Sequence, residues 1–316
     1  MERHELTGLD PSNPLGFLAA LGLVQVLHWH ASEDDAQPTL HFQGDGVGTP
    51  VLESPLSYQQ VRDAVLADAL AQGDCPALHL AYDSDGLTVP HTAPGADRDL
   101  KPAPDEARAF LERLSHSDRR SAGLAAAFFS EFAQDNNGRT KPTSLHFTAG
   151  QQTFLSMVDE LRQGIGGEDI DEALLGPWRG TSALPSLSWD SSATRYYALR
   201  ASDPSLDKRG SVPAANWLAF QALGLFPVAA RKGRLGTTGI EGSWKRSAFV
   251  WALWEEPLSV PVIASLLRAH VKGMTARERA ALGVTQVLCS RIHRSEQGGY
   301  GSFAPADLLP PAKESD

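Results

Sequence analysis

Asp10-Pro11-Ser12-Asn13-Pro14-Leu15-Gly16-Phe17-Leu18-Ala19-Ala20-Leu21-Gly22-Leu23-Val24-Gln25-Val26-Leu27-His28-Trp29-His30 is the stretch that decides the fold. Asn13 can accept a hydrogen bond from the free N–H groups of a first helical turn. Pro14 at the first helical position loses no bond, because its N–H would be an orphan anyway. These signals predict a helix from Pro14 to about Trp29. It is apolar nearly all round, so it belongs at the centre of the protein. Gly16 and Gly22 cost roughly 1 kcal/mol each in helix propensity. The expected return is close approach of another element. The apolar run Leu15–Leu27 is about 13 residues, and a bilayer span needs about 20. It reads as a buried helix and not an anchor. The charged start Met1-Glu2-Arg3-His4-Glu5 has no signal-peptide pattern, so a cytoplasmic protein is expected.

Working outward, residues 4–9 read as a short strand. Strands near Thr39–Phe42 and Pro50–Leu52 flank the turn cluster Gly44–Gly48. An amphipathic helix is expected over 57–72, and strands over Ala77–Tyr82 and Leu87–Val89. Residues 90–104 are loop. Helices follow at 105–115, 119–134 and 150–163. Gly164–Gly167 and the acidic run Glu168–Glu172 form a break. It is the candidate boundary between an N-terminal α+β region (1–165) and a C-terminal one (166–316), although one domain is equally compatible. Residues 186–200 read as β structure, with Tyr196 and Tyr197 in a strand. An apolar helix at 213–225 precedes two or three strands over 226–256 with a Gly-rich turn. Helices near 258–270 and 275–283, a strand at Val284–Cys289 and a fraying tail from Pro305 complete the chain. The expected class is α+β, with mixed short antiparallel strands and helices around a buried N-terminal helix.

The chain has 316 residues, of which 42% are hydrophobic and 21% charged, as in a folded domain with a real core. Two cysteines, Cys75 and Cys289, exclude a disulfide scaffold and a cysteine zinc site. No P-loop, HD, H-E-x-x-H or G-x-S-x-G motif occurs. Gly44-x-Gly46-x-Gly48 lacks the spacing and helix of a dinucleotide fingerprint. His28 and His30, with His41 or an acid of Glu33–Asp35, could ligate a metal if extended. At a helix end they diverge by about 200°. Asp97, Asp99, Asp105 and Glu106 are interleaved with Arg98, Lys101 and Arg108, which reads as a solvated loop. No catalytic residue, metal or cofactor is assigned.

The net charge of −10 disfavours a basic surface over the whole molecule, but not a local patch. From Arg195 to Arg246 there are nine basic residues and three acidic ones. The densest part holds Arg231, Lys232, Arg234, Thr237, Thr238, Trp244, Lys245 and Arg246 among glycines. Cations attract phosphates, hydroxyls and Gly backbone permit close contact, and Trp244 offers a stacking face. This is the composition of a hairpin that contacts nucleic acid. Docking on an acidic protein and a plain solvated hairpin stay open at this point. A smaller polar loop, Asn136–Ser144, is a second phosphate candidate.

Leu6–Gly22 resembles the opening of proteins from subtype I-G (formerly I-U) CRISPR systems. It is most similar to the family known as an extension of the system's helicase-nuclease, and more loosely to the large-subunit-like families. Phe147-Thr148-Ala149-Gly150-Gln151-Gln152, Leu187-Ser188-Trp189-Asp190, Tyr197-Ala198-Leu199-Arg200 and Phe226-Pro227 fit the same resemblance. It implies a non-catalytic subunit or accessory of an RNA-guided effector complex. The implied partners are other effector subunits and the helicase-nuclease, with guide RNA or target DNA, and no membrane. The rivals are a protein-only adaptor and a metal-dependent nuclease or hydrolase.

Overall fold

The computed structural model describes residues 1–32, 34–80, 82–84, 87–89, 100–148, 153–192, 211–295 and 300–314. The chain opens with β1 (Glu2–Glu5), α1 (Pro14–His30), β2 (Thr39–Gln43), β3 (Thr49–Ser54), α2 (Tyr58–Ala71), β4 (Tyr82–Ser84) and β5 (Leu87–Val89). Next come α3 (Pro104–Ser115), α4 (Arg119–Phe128), β6 (Phe129–Gln134), β7 (Thr140–Pro142), α5 (Phe154–Gly164), α6 (Gly167–Leu175) and α7 (Pro213–Gln221). The last part holds β8 (Val228–Arg231), β9 (Arg234–Thr237), β10 (Ile240–Ser243), β11 (Arg246–Trp254), β12 (Leu258–Ser259), α8 (Val260–Leu267), α9 (Ala276–Ala281), β13 (Val284–Arg294), β14 (Gly301–Phe303) and β15 (Asp307–Leu308). The class is α+β, built from several small antiparallel sheets.

The start of α1 forms as its sequence dictates. Asn13 Oδ1 accepts from Leu15 N–H at 3.2 Å, and Pro14 opens the first turn. Every residue from Pro14 to Leu27 is buried. A helix with no polar face needs neighbours on all sides, and it has them. α7 and α2 lie along it, and Phe17 meets Phe42 from β2 and Phe249, Trp251 and Trp254 from β11. The indole N–H of Trp251 donates to Pro11 O at 3.1 Å and that of Trp254 to Leu40 O at 2.7 Å. These two large side chains therefore enter the core with their polar atoms met. Gly22 has the role expected of it. A Cβ there would lie 1.7 Å from Leu218 O on α7, so the two helices touch backbone to backbone. At Gly16 the close neighbour is Asp10 O, in the turn before the helix.

The two larger sheets have the orders β1-β3-β2-β12 and β10-β11-β13-β14, with β15 also on β13, and β4-β5, β6-β7 and β8-β9 form two-stranded sheets. The first sheet takes its edge strand β12 from the far part of the sequence. One hydrophobic cluster contains residues from Leu6 through Phe303.

Several expectations are corrected. The strand placed over 4–9 is β1 at Glu2–Glu5. Leu6 and Leu9 turn inward, and Leu9 N–H bonds to Leu6 O. Residues 77–80 are turns, with Leu78 N–H on Cys75 O. The helix over 119–134 stops at Phe128, and Phe129–Gln134 becomes a strand because it pairs with β7. The break at 164–172 is only a short joint. Its acids form the first turns of α6, where Asp169 Oδ2 accepts from Gly166 N–H at 2.8 Å. Residues 186–192 are irregular, and Tyr196 and Tyr197 lie outside the described residues, as does most of the 90–104 loop. The stretch 226–256 holds four strands, not two or three. The tail does not fray at Pro305. β15 pairs with Leu288 and Cys289, and the Arg279 guanidinium donates to Leu309 O (2.8 Å) and Pro310 O (3.0 Å). Among the described residues no helix is long and apolar enough to cross a membrane.

The glycine contacts and one buried carboxylate give measurable outcomes. Gly22→Ala forces α1 and α7 apart and should cost about 3 kcal/mol or more in urea unfolding. Gly123→Ala, where a Cβ meets nothing nearer than 3.8 Å, should be neutral or stabilise by up to about 1 kcal/mol. The carboxylate is Glu172 on α6. Burial pushes its carboxyl up, but the N–H groups of Gly180 (3.1 Å) and Arg179 (2.6 Å) and the Arg179 guanidinium outweigh this and hold it below 4.5. A folded value below the unfolded one means stability that is present above about pH 4.5 and lost as pH falls through the folded value. Glu172→Gln should therefore lower stability at neutral pH by about 1–3 kcal/mol and flatten the acid limb of the stability–pH curve.

Candidate nucleic-acid interface

The basic segment folds into two consecutive hairpins. β8 pairs with β9 in the register Arg231↔Arg234, leaving Lys232 and Gly233 as a two-residue tip. Both tip residues have positive φ, 52° and 71°, as the twist of a tight hairpin demands. Glycine adopts that geometry freely. Lys232 does so at a cost of roughly 1 kcal/mol. The second hairpin pairs β10 with β11 in the register Ser243↔Arg246, with Trp244 and Lys245 at its tip.

Arg231, Lys232, Arg234, Lys245 and Arg246 are all exposed. None has a hydrogen-bond or ion-pair partner for its side chain among the described residues. The single acid of this stretch, Glu241, is already neutralised. It pairs with Lys272 Nζ at 2.9 Å and His270 Nδ1 at 3.4 Å. The Glu241 hydrogen bond raises the Lys272 pKa, so the ammonium is held charged. This ion pair stands at the rim of a cavity of about 230 Å³ lined by Ile240, Val250, Ala252 and Leu267.

The two threonines are a correction. Thr237 is buried, and its hydroxyl accepts from Ser144 N–H at 2.9 Å and lies 3.4 Å from the Thr143 hydroxyl. Thr238 Oγ1 donates to Pro227 O at 2.8 Å. The Thr237 hydroxyl ties the first hairpin to the 143–144 segment, and the Thr238 hydroxyl closes the base of that hairpin, so both are engaged in internal hydrogen bonds. The physical reason is position: they occupy the joint between hairpins, where backbone and side-chain groups must be satisfied internally.

Trp244 lies at the tip of the second hairpin, with 49% of its surface exposed. What sequence reasoning missed is Arg294, at the end of β13. Its guanidinium carbon lies 3.6 Å from the Trp244 ring centre and 5.3 Å from that of Phe147. The same group donates to Ser144 O at 2.6 Å and His146 O at 3.3 Å. Burial lowers its pKa to about 10, so it stays cationic at neutral pH. Residues 143–147 thus support both hairpins, one through Thr237 and the other through Arg294. Arg291 and His293 add exposed nitrogen groups on β13, the strand beside β11.

The other candidates scatter. Asn136–Arg139 is the loop of the β6–β7 hairpin. Its Asn137 and Arg139 N–H groups both donate to Asp135 Oδ1, so they are not available to a phosphate. His28 and His30 end α1, where His28 Nδ1 meets Gln37 Oε1 and His30 Nε2 meets Asp68 Oδ1. His41 is buried in β2, and burial lowers its pKa. Among the described residues no three His, Cys, Asp or Glu side chains converge on a metal position. Cys75 and Cys289 are free thiols, and burial pushes the Cys289 pKa up, away from thiolate chemistry. No family model, curated protein or solved structure matches the chain.

Proposed function

We propose that this chain is a non-catalytic subunit or accessory of a type I-G CRISPR interference complex, and that its two basic hairpin tips contact nucleic acid. One observation supports the contact: five exposed cations on two adjacent hairpins, whose one acidic residue is paired elsewhere. Unpaired surface cations gain most where they displace the counterions of a polyphosphate. The complex itself rests on the resemblance of Leu6–Gly22 to such proteins. In RNA-guided systems the guide reads sequence by base pairing, and proteins hold backbone and shape. Hairpin tips rich in Arg and Lys and free of paired carboxylates suit that task.

A protein-only adaptor is the second reading. It is favoured by the charge outside the 195–246 segment, which totals −16 when the segment's +6 is taken from the chain's −10. A net negative remainder disfavours nucleic acid overall.

Two experiments decide. A tagged chain purified from its native host, with proteins and nucleic acids identified, should recover the helicase-nuclease or guide-RNA-bearing subunits. Recovery of neither from cells that express them removes the complex. Changing Arg231, Lys232, Arg234, Lys245 and Arg246 together to Ala should abolish binding of the purified protein to nucleic acid in low salt. Partial variants should each lower the slope of log affinity against log salt by roughly 0.7–0.9 for every phosphate that is no longer neutralised. The melting temperature should hold, because none of the five side chains makes an internal bond among the described residues. Unchanged binding would show that the hairpin tips are not the contact, and no binding by the wild-type protein would favour the adaptor.

A further inference from the structure

We propose that Trp244, braced by Arg294, is a stacking platform for one unpaired base, so that the interface selects single-stranded nucleic acid over duplex. This rests on the nucleic-acid reading of the hairpin tips above and adds the class of strand they take.

A tryptophan at a two-residue hairpin tip gains less stability than a core one, because about half of its surface stays wet. Left alone, it would also move among rotamers. Trp244 is held instead. The Arg294 guanidinium lies against one face of the indole, 3.6 Å from the ring centre. That guanidinium is itself fixed by the carbonyls of Ser144 and His146 and by the ring of Phe147. The orientation of the indole is therefore set before any ligand arrives, which removes part of the ordering cost of binding. With Arg294 against one face, the residue is still 49% exposed, and among the described residues no other ring or cation lies against the indole.

Trp244 is followed directly by Lys245 and Arg246, both exposed. A base stacked on Trp244 would bring its flanking phosphates to these cations. In a duplex the bases already stack on one another, and presenting one requires extrusion. An unpaired strand offers its π-faces freely, and every base has one, so the stacking tolerates sequence.

The test is fluorescence anisotropy of the full chain at low salt. The probes are oligothymidylate and oligouridylate of about 15 nucleotides, spanning one typical site, and a duplex of equal length. The wild-type protein should bind the single strands about tenfold tighter than the duplex. Trp244→Ala should remove about that tenfold from both single strands, leaving duplex affinity within about twofold and the salt slope unchanged. Trp244→Phe, which keeps a ring, should retain most of the preference. Lys245→Ala with Arg246→Ala should instead weaken every probe and flatten the salt dependence. If Trp244→Ala binds single strands like wild type, or if wild type prefers duplex, the stacking platform is wrong and the phosphate binding stands. If wild type binds none of the probes, the nucleic-acid reading falls and this inference falls with it.

Discussion

The backbone-to-backbone contact of Gly22 on α1 with the Leu218 carbonyl of α7 governs how the rest is arranged. A helix buried on every side cannot lie on a sheet with one face in water. It has to be enclosed, and the enclosure needs more elements than the neighbouring sequence supplies. α2 comes from nearby, but α7 and β11 come from about 200 residues downstream. The aromatic group around Phe17 fills the space between helix and sheets, and its indoles anchor to backbone carbonyls at either end. A second fastening lies toward the C-terminal end of α1. Asp68 of α2 is 1% exposed and is gripped bidentately by Arg120 of α4, which also donates to Gln221 of α7, while His30 approaches from α1. A buried charge pair of this kind contributes little net stability, yet losing either partner strands a charge at a cost of about 3–5 kcal/mol. It holds four helices in one arrangement.

That frame leaves the hairpins free to project. Their roots are satisfied by Thr237 and Thr238 and by the 143–147 segment, so the tips need no internal bonds. Cations with no internal partner stand out on a chain that is acidic elsewhere. On the proposed reading, the acidic remainder of the chain would limit indiscriminate adhesion to nucleic acid, and the basic tips would hold a local site for it.

Local signals were legible in the residues. Asn13-Pro14 capped α1 as expected, the helix expected over 57–72 is α2, and Gly44–Gly48 joined β2 to β3. The basic segment read as one hairpin and folds into two. Features decided by distant partners were not legible. Phe129, Phe132 and Ala133 have helical spacing as readily as strand character, and only pairing with Thr140–Pro142 settles the matter. Thr237 and Thr238 look like ligand donors until Ser144 and Pro227 are seen beside them. Arg294 lies 50 positions from Trp244, and nothing in either neighbourhood announces the other. The tail reads as Pro-rich and loose, but Arg279 and β13 hold it.

The long span between α1 and its partners has a consequence for synthesis. At roughly 5–20 residues per second, α1 leaves the ribosome about 10–40 seconds before α7 and β11 exist to cover it. For that interval only nearby elements such as α2 and β2 can cover a fully apolar helix, and the faces that later meet α7 and β11 have no native partner. Those faces are open to anything that binds exposed hydrophobic segments while the chain is being made.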